Sequence, residues 1–206
     1  METLQPKGLK AILNDSIQNS MNYKEYRNLV TQLVGEKATT GAEQTETLID
    51  YTILNYRRMK RWDKTLKVPE IVQEKLQHFK KNITWLVLTE SWCGDAAHIV
   101  PVINKVAELN KNIDFKVVLR DENEALMNRF LTQGGKSIPK LIMIDNTSGE
   151  VLNTFGPRPS YATKLVNNYK AKYGKLTPEF KEELQHWYNK DKGQSTIEDL
   201  MLLFED

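Results

Sequence analysis

The chain has 206 residues, 40% of them hydrophobic, with 29 Lys and Arg against 27 Asp and Glu. That is enough chain to bury a core and carry an extension, and it excludes global disorder. The charge balance argues against a nucleic-acid surface, and no apolar run approaches the roughly 20 residues a bilayer span needs. The opening residues, METLQPKGLKAILNDS, lack the uninterrupted apolar stretch of a secretory leader. The expectation is a soluble, cytoplasmic protein with no nucleic-acid or membrane partner. Cys93 is the only cysteine, so an intramolecular disulfide and a thiolate metal site are both excluded, as suits a reducing compartment.

Along residues 22–35 the side chains Tyr23, Tyr26, Leu29, Val30 and Leu33 recur at three- and four-residue steps, predicting an amphipathic helix stopped by Gly35. A second helix is expected between Gly41 and Trp62, through Leu48, Tyr51, Ile53, Tyr56 and Met59. A third begins at Pro69 and carries Ile71, Val72, Leu76 and Phe79. The pattern then changes. ITWLVLT, residues 83–89, is a nearly continuous apolar run, as a central strand buried on both faces shows. A helix over residues 94–109 and a strand over residues 113–119 complete a βαβ unit.

A helix through Leu126, Phe130 and Leu131, ended by Gly134 and Gly135, is expected next. The strands KLIMID and EVLNTF come after it, joined by a turn at residues 146–149. A helix over residues 160–173, N-capped by Ser160 and stopped at Gly174, closes the series. Beyond it, Thr177 and Pro178 open another helix, and Ser195 with Glu198 forms a capping box ahead of IEDLMLLF. The order β-α-β-α-β-β-α predicts an α/β fold with a four-stranded mixed sheet covered by helices. The expected division is an N-terminal helical extension (1–68), the sheet domain (69–174), and C-terminal helices packed on it (175–206). The terminal Leu, Met and Phe stripe reads as core contact.

Cys93 falls just past the first core strand, at the start of the next helix. Free N–H groups and the helix dipole favour a thiolate there, by an amount that takes it from a few per cent to about half at pH 7. Asp95 opposes this by like-charge repulsion, so a thiol that is only mildly activated is expected. His98, five residues on and on another helix face, is a poor base for the sulfur. Arg57, Arg58, Lys60 and Arg61 read as a solvated helix face in preference to a phosphate or nucleic-acid patch. The three histidines and one cysteine have no zinc spacing, and no phosphate-binding glycine loop or nucleophile elbow is present. No cofactor or metal is expected.

Trp92-Cys93-Gly94, Pro101 eight residues past the cysteine, and Ile138-Pro139 ahead of a strand resemble the thioredoxin family over about residues 82–173. They match its Trp-Cys-Gly-Pro-Cys site, its kinking helix proline and its cis-proline. The stretches WCGDAA, LRDEN and GGKSIPKLI are further similar to bacterial thioredoxin-like proteins with added helices at both ends. The resemblance implies a thioredoxin-like fold, Cys93 as catalytic thiol, and Trp92, Gly94, Asp95, Ile138 and Pro139 as substrate-binding residues. Three departures qualify it: Ala96 replaces the resolving cysteine, Asp95 the proline before it, and Val87 the buried aspartate that deprotonates that second thiol.

With those departures, the implied activity is that of a monothiol disulfide oxidoreductase in redox homeostasis. Its mixed disulfides with a protein or low-molecular-weight thiol would be cleared by an outside thiol. The alternative is a redox-inactive binding module that recognises a protein partner. Peroxide chemistry at Cys93 lacks a dedicated base or arginine. Lys136 and Lys140 flank the proline loop, and attraction of an acidic thiol is the lesser of the readings for them. The sequence leaves the oligomeric state open.

Overall fold

The computed structural model describes residues 8–205; the first seven, part of the stretch inspected for a leader, lie outside the described residues. The sheet is built from β1 (Ile83–Thr89), β2 (Ile113–Leu119), β3 (Lys140–Asp145) and β4 (Val151–Phe155), in the order β2-β1-β3-β4. β1 runs parallel to β2 and antiparallel to β3, and β3 pairs antiparallel with β4. This is the mixed four-stranded arrangement expected. All seven residues of β1 are buried, each large aliphatic side chain contributing about 1.5–3 kcal/mol. Asp145 organises the β3–β4 turn by accepting the N–H groups of Thr147 and Ser148.

The helices are α1 (Leu9–Gln18), α2 (Tyr23–Glu36), α3 (Glu46–Thr65), α4 (Glu70–Gln77), α5 (Gly94–Ala107), α6 (Glu124–Met127), α7 (Ser160–Tyr173), α8 (Pro178–Asp191) and α9 (Gln194–Leu202). α5 packs against β1, β2, α3 and α9, so helices from both ends of the chain close on the same element. Its residues from Ala96 to Ala107 are buried apart from Lys105. Met21 exchanges both backbone hydrogen bonds with Val117 (2.9 and 2.8 Å), covering part of the edge that β2 would otherwise expose. At the other end Phe204 meets Phe79 edge-on, centroids 4.7 Å apart, and lies 5.6 Å from Trp85. The terminal stripe therefore does cover core.

Several boundaries differ from the sequence expectation. α1 has no counterpart in the sequence pattern; it buries Ile12 and Leu13 and packs on α6 and β2. α2 runs through Gly35 and ends with Lys37 in the left-handed conformation, fixed at its start by a complete Asn22–Glu25 capping box. Pro69 caps α4 from outside, and Phe79 lies beyond that helix. The helix expected through Phe130 and Leu131 is only four residues long: Gln133 and Gly134 have positive φ, and Thr132 pairs with Gly135. Leu131 is left exposed.

Ser160 is the first residue of α7 rather than its cap, and its N–H and hydroxyl go to Asp199. α9 starts one residue before Ser195 with Gly193 as its cap, and Ser195 bonds Asp191 instead of forming a capping box. In these last two cases a distant or preceding carboxylate captures the serine that local pattern assigns to the cap.

Candidate functional site

β1 delivers the chain to Thr89, and residues 90–92 turn it into α5. Ser91 is buried at the centre of that turn. Its N–H donates to Thr40 Oγ1 (2.9 Å), its carbonyl accepts from Asn55 Nδ2 (2.9 Å), and its hydroxyl lies 2.9–3.1 Å from those of Thr39, Thr40 and Thr52. α3 and the loop ahead of it thus hold the turn in place. Cys93 is next, as the N-cap of α5, its N–H donating to the Glu90 carbonyl at 3.2 Å.

Cys93 is only 9% exposed. Its thiol donates to the carbonyl oxygen of Ile138 at 3.4 Å, and the Ile138–Pro139 peptide is cis. Ile138 and Pro139 are themselves buried. Burial pushes the thiol up to about 12, with the Asp95 carboxylate adding to the effect. The backbone N–H groups of Ala96 and Asp95 and the Arg158 guanidinium act the other way. The sequence-based expectation of a mildly activated thiol is therefore corrected: helix-end stabilisation of roughly 0.3–2 kcal/mol is smaller than the desolvation cost of a buried thiolate.

Asp95 is not a free helix-end carboxylate. Its Oδ1 accepts from the Tyr188 hydroxyl at 2.9 Å, and its Oδ2 lies 2.6 Å from Arg158 Nη2. Burial works against the charge of Arg158, and Asp95, with Tyr188 and Cys93 beside it, more than restores it. The Tyr188 phenol is held well above its ordinary range by burial and then by Asp95. Tyr188 stacks on His98 with centroids 4.6 Å apart. His98 is itself a packing residue: Trp62 Nε1 donates to its Nδ1 (3.0 Å), its Nε2 lies 2.7 Å from Gln185 Oε1, and burial depresses its pKa to about 3. It is neutral, with the proton on Nε2.

Arg158 and Tyr188, neither singled out in the sequence, thus reach the site from 65 and 95 residues downstream. The arginine between Pro157 and Pro159, directly after the last strand, was the available signal. Arg58 leaves the solvated cluster to which its spacing assigns it. It is half-buried, donates to Asn55 Oδ1 (3.0 Å), and lies where a side chain on Gly94 would meet it. Trp92 is half-buried, with the Arg120 guanidinium 4.9 Å from its ring. Lys136 is exposed and pairs with Glu124, whereas Lys140 is buried with its ammonium 3.1 Å from Thr132 Oγ1 and does not stand open for an acidic thiol.

Two further features frame the thiol. Glu90 is buried, its Oε1 accepting from the Asp121 N–H (2.9 Å) while its Oε2 has no partner; burial raises its pKa. Gly156 has φ +111°, and a Cβ there would come within 2.1 Å of the Pro139 carbonyl oxygen. Only glycine fits behind the proline loop. Among the described residues no group of three or more His, Cys, Asp or Glu side chains could hold a metal ion, and no helix is long and apolar enough to cross a membrane. Val87 and Ala96 are buried, filling with apolar atoms the two places where the resemblance requires polar chemistry.

A family model described as thioredoxin matches residues 41–172. Among solved structures, a protein of unknown function from Pseudomonas aeruginosa is similar with 18% identity and a TM-score of 0.51. An HIV epitope-scaffold is similar with 18% identity and a TM-score of 0.54. Each alignment covers 90% of this chain and 98% of the other. These likenesses bear on fold. No curated protein matches the sequence.

Proposed function

The chain belongs to the thioredoxin family, and from that premise we propose that it acts by non-covalent recognition of a protein partner, with Cys93 a protonated thiol that does not turn over. The observation that carries this reading is the state of the sulfur: nearly enclosed, donating to Ile138, and set beside a carboxylate that Arg158 and Tyr188 hold in place. A thiol near 12 is about 3 × 10⁻⁵ ionised at pH 7.5. Its thiolate is intrinsically more nucleophilic than an ordinary one, but with a Brønsted slope near 0.4–0.5 that recovers only about half of the lost decades. Exchange is then about a hundredfold slower than for an exposed cysteine, and Ala96 offers no resolving thiol. Trp92 is the part of the site left for contact, a half-buried ring carrying the Arg120 guanidinium, the kind of aromatic and arginine pair that anchors protein interfaces.

A second reading has one observation in its favour: the N–H groups of Asp95 and Ala96 and the Arg158 guanidinium all stabilise a thiolate at Cys93. In that reading Cys93 attacks a disulfide, forms a mixed disulfide while releasing the other sulfur as a thiolate, and is freed by an outside thiol. Incubation with oxidised glutathione at pH 7.5, followed by intact mass under acid quench, separates the two. The recognition reading expects the unmodified mass over times that convert an exposed cysteine fully. An adduct at Cys93 that forms rapidly and is released by reduced glutathione would establish the second.

A further inference from the structure

Away from the thiol, α3, α8 and α9 enclose a pocket of about 450 Å³. Its walls carry Arg61, Lys67 and Lys192 and no carboxylate. In a chain with 29 basic and 27 acidic residues, three cations around one concavity with no acid among its lining residues is a local imbalance of charge. Among the described residues none of the three is in an ion pair. Asp191, next to Lys192 in sequence, is not among the lining residues, and its carboxylate accepts from the N–H and hydroxyl of Ser195.

The pocket is also partly organised for a ligand. Arg61 is fixed from two sides: its Nη2 donates to Asn189 Oδ1, and its guanidinium lies 5.4 Å from the centroid of the Trp62 ring. With its Oδ1 so engaged, Asn189 has its amide N–H groups left as donors. Gln194, the first residue of α9, adds another amide. The ammonium groups supply point charge, and the arginine fork matches phosphate oxygens. The size falls in the range of small-molecule sites, about 300–1,000 Å³, and is too small to seat a folded partner.

We propose that this pocket binds a phosphate-bearing small molecule, held by Arg61, Lys67 and Lys192. Because Trp62 forms its wall and donates to His98, which stacks on Tyr188, an occupant is separated by one hydrogen bond and one ring stack from Tyr188, which donates to Asp95.

The test is calorimetric titration of the full chain with inorganic pyrophosphate at low ionic strength. The expected result is saturable one-to-one binding, weakened about tenfold or more in Lys67→Gln/Lys192→Gln, since losing two ligand-facing charges removes at least about 1.4 kcal/mol. Both lysines are exposed, so the variant folds, and unchanged thermal unfolding without ligand verifies it. The absence of saturable binding in the millimolar range would overturn the assignment. So would binding that the double variant leaves unchanged, or much tighter lysine-dependent binding of a single-stranded oligonucleotide.

Discussion

Replacing Asp95 with asparagine changes the charge beside Cys93 with little change in shape. Asp95 is the second cause of the raised thiol pKa after burial, and a like charge within about 4–6 Å displaces a titration by about 1–3 pH units. Part of that charge is already neutralised by Arg158, whose Nη2 lies 2.6 Å away, so the lower end of the range applies to the direct effect. In Asp95→Asn the guanidinium also loses its carboxylate and acts on the sulfur unopposed. The net expectation is at least tenfold more thiolate at any pH below the titration, equivalent to about 1.4 kcal/mol. Because the sulfur stays buried, the thiol remains above an ordinary cysteine. The assay is the rate of iodoacetamide modification of Cys93 at pH 8.5, followed by mass spectrometry in wild type and variant. A tenfold rate increase is offset by only a few-fold loss of nucleophilicity, leaving a net gain of about threefold or more. An unchanged or slower rate would refute the electrostatic account of this site.

Three further outcomes are expected from the structure. Gly156→Ala places a Cβ 2.1 Å from the Pro139 carbonyl oxygen at a positive φ, so a loss of at least about 3 kcal/mol is expected in chemical denaturation; a loss under 1 kcal/mol would show that the loop yields. His98, depressed to about 3 when folded, contributes stability that is present above its unfolded value near 6.5 and is lost as pH falls. Between pH 6.5 and 4.5 wild type should lose about 2–3 kcal/mol that His98→Gln does not lose over the same interval. Glu90 has the opposite sign: its raised pKa favours the folded state below the ordinary carboxylate range and penalises it as pH rises. Glu90→Gln keeps the acceptor for the Asp121 N–H and should be more stable than wild type by about 1 kcal/mol at pH 8, read from the denaturation midpoint; destabilisation would mean the charge is matched by a partner.

The sheet is legible because its signals are local and strong. ITWLVLT is buried along its whole length, and a run of that kind leaves little choice but a central strand. The short α6 reads as a longer helix because Leu126, Phe130 and Leu131 keep helical spacing, while the positive φ at Gln133 and Gly134 ends the segment. α1 escapes the pattern because its apolar face, Ile12 and Leu13, is brief and gains its burial only from α6 and β2. At the site, sequence places Cys93 at a helix start, and it is the N-cap of α5. Sequence does not show what surrounds the sulfur. Arg158 and Tyr188 arrive from a post-strand loop and a C-terminal helix, and desolvation depends on that tertiary enclosure, not on motif spacing. The helix dipole can be read from position; the burial that exceeds it cannot.

The central claim is that enclosure keeps Cys93 protonated. Its most direct test is the pH dependence of Cys93 alkylation in the intact wild-type chain from pH 6 to 10. The expected rate climbs through pH 10 without reaching a plateau. A plateau reached by about pH 9.5, as for an ordinary cysteine titrating near 8.5, or earlier, as for an activated one, would contradict it.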